Sequence, residues 1–193
     1  MSTARRLHYT YTEYTALEDD SPIRHEYLDG EIYAMAGGSP DHAALAAAVI
    51  GLLGAQLPPG CRAFTSDLRV RIPSTGLSTY PDASVVCGRT QRAVDDPLAV
   101  TNPVVLVEVT SASTEDYDRG EKLRHYQSLP SVREVLIVSH ARPELTVHER
   151  ETAGAWTVRH ATSGGILELV SLGPRLAVDD VYRDGLEDID RSG

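Results

Sequence analysis

The stretch Pro103 to Ser139, PVVLVEVTSASTEDYDRGEKLRHYQSLPSVREVLIVS, decides the fold. It opens with PVVLVEV (Pro103–Val109), an almost unbroken apolar run rich in valine. A strand that hydrophobic is covered on both faces. The Ser/Thr-rich segment Thr110–Thr114 follows and supplies capping hydroxyls for a helix. From Tyr117 to Ser128 apolar and charged residues alternate at helical spacing, and Pro130 stops the pattern. Glu134–Ser139 then reads as a second buried strand. Strand, helix and strand within one short span call for a sheet with helices packed on it.

Working outward, Tyr80–Cys87 reads as a strand, with Asp82 set in the string YPDASVV. Phe64–Ile72 alternates with a period of two, placing Leu68, Val70 and Ile72 on one face and Arg69 and Arg71 on the other. Pro73–Ser78 is a turn. Pro40–Leu57 is the clearest helix: Asp41 can cap it, Ala and Leu dominate it, and Pro58-Pro59-Gly60 ends it. Its small apolar residues run all round, which implies burial between layers. Further upstream, Asp29-Gly30 in HEYLDGEIYAMAG is a two-residue turn signal. Tyr11–Leu17 has helical spacing and stops at Asp19-Asp20-Ser21-Pro22. Downstream, Glu144–Arg150 and Trp156–His160 pair across Thr152-Ala153-Gly154. The class is α/β (α+β), a mixed central sheet flanked by helices with extra antiparallel strands. No repeat interrupts it, and residues 1–193 read as one domain.

Composition narrows the function classes. The formal net charge is -10, which argues against a broad basic nucleic-acid face. Part of that charge sits in an acidic tail at about residues 179–193, with Asp179, Asp180, Asp184, Glu187, Asp188 and Asp190; such runs are solvated ends. A dimer gathering Arg62, Arg69, Arg71 and Arg89 near one groove would offset the rest. No apolar stretch is long enough to span a bilayer, and no secretory leader follows Arg5-Arg6. The expected location is cytoplasmic, without membrane contact. Cys61 and Cys87 lack a CxxC or Cys/His context and read as buried, reduced thiols rather than a disulfide or a zinc site.

Two carboxylates stand where charge is costly. Asp82 lies among apolar strand residues, and Glu108 ends the most apolar strand of the chain. A buried carboxylate needs a partner or a cation. Acids on neighbouring strands suit Mg²⁺, which takes one or two carboxylates and keeps waters and phosphate oxygens for the rest. Lys122, on the next helix, is placed to orient a nucleophile or to stabilise developing charge. Taken alone, Asp118 and Lys122, four residues apart, read as a surface ion pair. No phosphate loop, GxGxxG, HExxH or GxSxG occurs. Tyr9, Tyr11 and Tyr14 are candidates for base stacking, but packing is the simpler reading for them and for Trp156.

The strings YPDASVV, VEVTSASTEDYDRGEKLRHYQSLPSVREVLIV and HEYLDGEIYAMAGGSPDH resemble the Uma-type restriction endonucleases of bacteria, formerly a domain of unknown function, in the PD-(D/E)XK nuclease superfamily. The resemblance runs from about Tyr9 to Tyr182. It implies a restriction-endonuclease-like core and an Mg²⁺-dependent endonuclease, with Mn²⁺ as a substitute and DNA as substrate. It makes Asp82 and Glu108 metal ligands, with the backbone carbonyl of Val109 as a third oxygen. The superfamily lysine two residues after Glu108 is replaced here by Thr110, and Lys122 stands in from the following helix. Glu26 matches an acid beside the metal. His42 matches a recurrent histidine, read equally as a helix cap or core residue. A homodimer is the expected assembly. The rival reading is a catalytically inactive module of the same fold that binds or assembles; a third is a hydrolase of small phosphorylated molecules.

Overall fold

The structure, a computed structural model, describes residues 8–35, 37–183 and Leu186. In chain order its first elements are α1 (Tyr11–Asp20), β1 (His25–Leu28), β2 (Glu31–Ala34), α2 (Pro40–Gly54), β3 (Cys61–Thr65), β4 (Arg69–Ile72) and β5 (Leu77–Thr79). Then come β6 (Ala83–Cys87), β7 (Ala99–Val100), β8 (Val105–Val109), α3 (Glu115–Tyr117), a π-helical turn (Asp118–Lys122), α4 (Leu123–Ser128) and β9 (Glu134–Val138). The chain closes with β10 (Glu144–Arg150), β11 (Trp156–Thr162), β12 (Ile166–Glu168), β13 (Arg175–Ala177) and α5 (Val178–Val181).

The central sheet has the order β11-β10-β9-β8-β6-β3. It is mixed: β8 and β9 run parallel, and its other neighbours are antiparallel. Parallel neighbours need a crossover, and residues 115–128 provide it as one continuous helical run. A second sheet, β2-β1-β5-β4-β7, packs nearby, and β12 pairs with β13.

Strand β8 holds the core of the apolar run Pro103–Val109, and all five of its residues are buried. Val105, Val107 and Val109 belong to one buried cluster with Leu45, Val49 and Leu53 of α2. Leu106 faces the opposite cluster with Leu123 and Tyr126 of α4 and with Val70, Ile72 and Leu77 of the second sheet. Alternation therefore puts Glu108 on the Leu106 face, toward the crossover helix.

Several local expectations need correction. Helix α2 is capped by Ser39, whose hydroxyl accepts the His42 N–H, and not by Asp41. It is buried along one stripe only; Ala43, Ala44 and Ala47 are exposed. The expected strand Phe64–Ile72 is two strands, because the chain turns between Thr65 and Leu68. Asp82 sits one residue before β6 rather than within it. The Asp29-Gly30 turn does join β1 to β2, with φ of 44° and 93° at the two residues. That is the left-handed backbone an Asp-Gly pair tolerates.

The cysteines are also not as expected. Cys61 and Cys87 form a disulfide across β3 and β6. The two strands pair so that these residues stand directly opposite one another, with Cα atoms 4.0 Å apart. Sequence spacing carried no trace of that register. At the start of the acidic tail Asp179 is exposed, as expected of a solvated run, while its apolar neighbours Val178, Val181 and Tyr182 are buried. Asp179 accepts the Gly164 N–H. Asp184, Glu187, Asp188 and Asp190 lie outside the described residues. Among the described residues no helix is long and apolar enough to cross a membrane.

Candidate active site

The β6–β8 register pairs Ala83 with Val107. One residue further along, the same register sets Asp82 opposite Glu108. Both line a cavity of about 670 Å³, together with Glu26, His42, Asp118 and Lys122.

Asp82 is held at both oxygens. One accepts the backbone N–H of Val109 at 2.7 Å, and the other is 3.0 Å from Nε2 of His42. Glu108 is 4% exposed. One of its oxygens accepts the hydroxyl of Tyr126 and lies 3.1 Å from the Lys122 ammonium. Lys122 also reaches Glu26 at 3.0 Å and Asp118 at 3.8 Å. The Thr79 hydroxyl donates to the same Glu26 carboxylate. An ammonium has three hydrogens to give, and here three carboxylates surround it.

The crossover helix makes this arrangement. Asp118, Lys122 and Tyr126 recur every fourth residue and are all buried against the sheet. A surface pair of Asp118 with Lys122 is therefore overturned: Lys122 is 5% exposed. The π turn from Asp118 to Lys122 closes with a wider step than an α-turn, and such turns recur at functional sites. It also brings the Tyr117 ring within 6.0 Å of the Lys122 ammonium.

Burial and neighbours shape the charges. Desolvation, aided by Asp82 and Asp118 and opposed by Lys122, pushes Glu108 well above the usual carboxylate range. Burial likewise raises Asp118 against the pull of Lys122. Burial would lower Lys122, but Glu108, Tyr126, Glu26 and Asp118 together hold it above its ordinary value, so it stays a cation. His42 is raised chiefly by its hydrogen bond to Asp82. The cavity thus combines a fixed cation with two carboxylates, Glu108 and Asp118, raised by burial, a pattern typical of sites that bind cations or move protons.

The structure brings together Asp82, Glu108, Lys122, Glu26 and His42, and Val109 lines the same cavity. Among the described residues, no three His, Cys, Asp and Glu side chains are grouped as ligands of one ion. Thr110, two residues after Glu108, also lines the cavity. Its hydroxyl accepts the backbone N–H of His140 and is 2.8 Å from that ring's Nδ1. Tyr126, Asp118, Tyr117, Thr79 and His140 were not foreseen as site residues. The four-residue spacing of Asp118, Lys122 and Tyr126 was the available signal for two of them.

Of Arg62, Arg69, Arg71 and Arg89, expected to gather near one groove in a dimer, Arg69 and Arg71 are engaged within the fold. Arg69 is buried on Asp96 at 2.6 Å and on the Tyr80 hydroxyl. Arg71 is buried on the Gly76 carbonyl, 3.4 Å from Asp95. Tyr11 and Tyr14 pack with Tyr27 inside the fold, and Trp156 lies under Arg150.

The Uma2 model, described as “Putative restriction endonuclease”, matches residues 11–179. The chain belongs to the Uma2 family. “Uncharacterized protein slr1290” of Synechocystis sp. (strain ATCC 27184 / PCC 6803 / Kazusa) is 38% identical over 172 residues, 89% of this chain and 90% of that protein. “Uncharacterized protein sll1609” of the same organism is 31% identical over 132 residues, 67% of this chain and 73% of that one. A crystal structure from Anabaena variabilis ATCC 29413, described as “a putative nuclease belonging to DUF820”, superposes with a TM-score of 0.72 at 17% identity. The match covers 91% of this chain and 98% of that one, and shows that the two share a fold. The Uma2 match spans every site residue named above, from Glu26 to His140.

Proposed function

We propose that this Uma2 protein is an Mg²⁺-dependent endonuclease that hydrolyses phosphodiester bonds, with DNA as the principal substrate. The observation that carries the reading is the Lys122 ammonium held by Glu26, Glu108 and Asp118 on the wall of the cavity that Asp82 also lines.

The donor set fits the ion. Asp82, one residue before β6, and Glu108 on β8 offer hard oxygens to one cavity, and burial penalises the charge on Glu108. Asp82, Glu108 and the backbone carbonyl of Val109 would hold Mg²⁺, or Mn²⁺ in its place. Two side chains, a carbonyl, waters and phosphate oxygens satisfy a cation that seldom uses an all-protein cage. When bound, it supplies an acidified water and neutralises phosphate charge.

The chain's own residues do the rest. His42 and the Val109 amide fix both oxygens of Asp82, and Tyr126 orients Glu108. Glu26 and Asp118 hold Lys122 charged beside the reacting phosphate, where a preorganised cation stabilises charge that develops in the transition state. Two sites are needed for cleavage of both strands, and a homodimer supplies them; sedimentation velocity would reveal it.

The test is cleavage of supercoiled plasmid in Mg²⁺ and in Mn²⁺. Wild type should nick it. Lys122→Met should lose about a hundredfold or more while calorimetry still shows metal binding. Equal cleavage by both proteins removes Lys122 from the chemistry. A second reading, a catalytically inactive binding or assembly module, draws on the net charge of -10 and the burial of Arg69 and Arg71. Absence of cleavage on every DNA and RNA tried, with metal bound, would favour it.

A further inference from the structure

The active-site cavity does not end at Lys122. A second cavity of about 400 Å³ shares Glu26, Tyr33, Ser113, Thr114 and Tyr117 with it and extends it outward past Glu121. In the β1–β2 hairpin Tyr33 pairs directly with Glu26, so both side chains leave the same face of the sheet. Tyr33 is 48% exposed. Across from it stands Tyr117, brought toward Lys122 by the π turn. Two aromatic rings therefore border the passage that leads away from the Glu26–Lys122 pair.

The lining says what this space would take. Among the described residues around it there is no lysine or arginine, while Glu26 and Glu121 are both present. A phosphate would meet the Glu121 carboxylate here, and the nearest cation, Lys122, is already paired with Glu26. A planar, uncharged ring with N–H donors would meet aromatic surface and carboxylate acceptors. Nucleobases have that character: any base has a stacking face, and a carboxylate accepts from an exocyclic amine such as N4 of cytosine. The volume lies within the range of small-molecule sites.

We infer that the second cavity is a nucleobase subsite, in which Tyr33 and Tyr117 receive a base next to the scissile phosphate and Glu121 accepts from its amino group. The inference rests on the nuclease reading for its scissile phosphate. It assigns the substrate class: a single strand, a frayed end or an extruded nucleotide. A base inside a closed duplex has its faces covered and must first be unstacked. Cytosine, adenine and guanine carry the amine that Glu121 accepts, whereas thymine lacks it.

The experiment pairs two readouts. The first is quenching of 2-aminopurine in a single-stranded phosphorothioate oligonucleotide. The second is the KM and kcat for a single-stranded oligodeoxynucleotide and for the same sequence annealed, both in Mn²⁺. Wild type should quench and should favour the single strand. Tyr33→Ala should abolish quenching and raise KM by about tenfold, the loss of one stacked base, with kcat little changed. Tyr33→Phe should restore both, which separates stacking from the hydroxyl's bond to Glu31. A preference for closed duplex, or a Tyr33→Ala protein identical to wild type, overturns the subsite. Quenching without hydrolysis upholds it and overturns the nuclease reading instead. Hydrolysis without quenching does the reverse, and absence of both overturns the two together.

Discussion

Lys122→Met separates a buried charge cluster from an ordinary helical ion pair. Methionine keeps the length of the side chain and removes its charge. Lys122 is 5% exposed and lies 3.0, 3.1 and 3.8 Å from Glu26, Glu108 and Asp118. Its loss leaves carboxylates buried without a counter-charge, which costs about 3–5 kcal/mol. An exposed pair of Asp118 with Lys122 would cost only about 0.5 kcal/mol. The loss must also depend on pH. Glu108 and Asp118 are already raised in the folded state, mainly by burial and against the pull of Lys122. A carboxylate raised in this way stabilises fully below its unfolded value and loses that contribution as pH climbs through the folded value. Removing Lys122 raises both further, so the deficit against wild type widens with pH. Each proton held only by the folded variant changes its stability by up to about 1.4 kcal/mol per pH unit. Urea unfolding of both proteins at a lower and a higher pH, about pH 5 and pH 8, measures this. A difference near 4 kcal/mol at the higher pH, shrinking clearly at the lower, is expected. A difference below about 0.5 kcal/mol at both would refute the buried cluster.

Four further outcomes follow from the same contacts. Mg²⁺ or Mn²⁺ should raise the melting temperature of wild type, because the ion binds the folded state; calorimetric scans of Asp82→Asn should show most of that gain gone. Tyr126→Phe leaves the buried Glu108 oxygen without its hydroxyl donor and should cost about 1.5–3 kcal/mol in urea unfolding. The His42 imidazole should titrate above the usual histidine range by NMR and return toward it in Asp82→Asn. Its contribution to stability is complete below the unfolded value and fades as pH rises through the folded one. Reduction of the Cys61–Cys87 disulfide, which closes a loop with a sequence separation of 26, should lower stability by about 3 kcal/mol, read as a shift of the urea midpoint with reductant.

The sequence alone determined the helices and strands that frame the site and which strand is the most apolar. The apolar run Pro103–Val109 announced a strand covered on both faces, and it lies between α2 and the crossover helix. Asp29-Gly30 announced the hairpin, because few other pairs accept that backbone. Asp82 and Glu108 were legible as candidates because a carboxylate beside so many valines is costly without a reason. Pairing across the chain was not legible. The register of β6 on β8 sets Asp82 opposite Glu108, and the register of β3 on β6 joins Cys61 to Cys87. A register shift of one residue would undo either pairing while leaving every local pattern intact. The same holds for Lys122. Its spacing from Asp118 is that of any surface pair, and only the packing of residues 115–128 against β8 turns that helix face inward toward Glu26 and Glu108. Local sequence fixes which residues want burial; which charges meet once buried depends on contacts between segments far apart in the chain, and those exist only in the folded molecule.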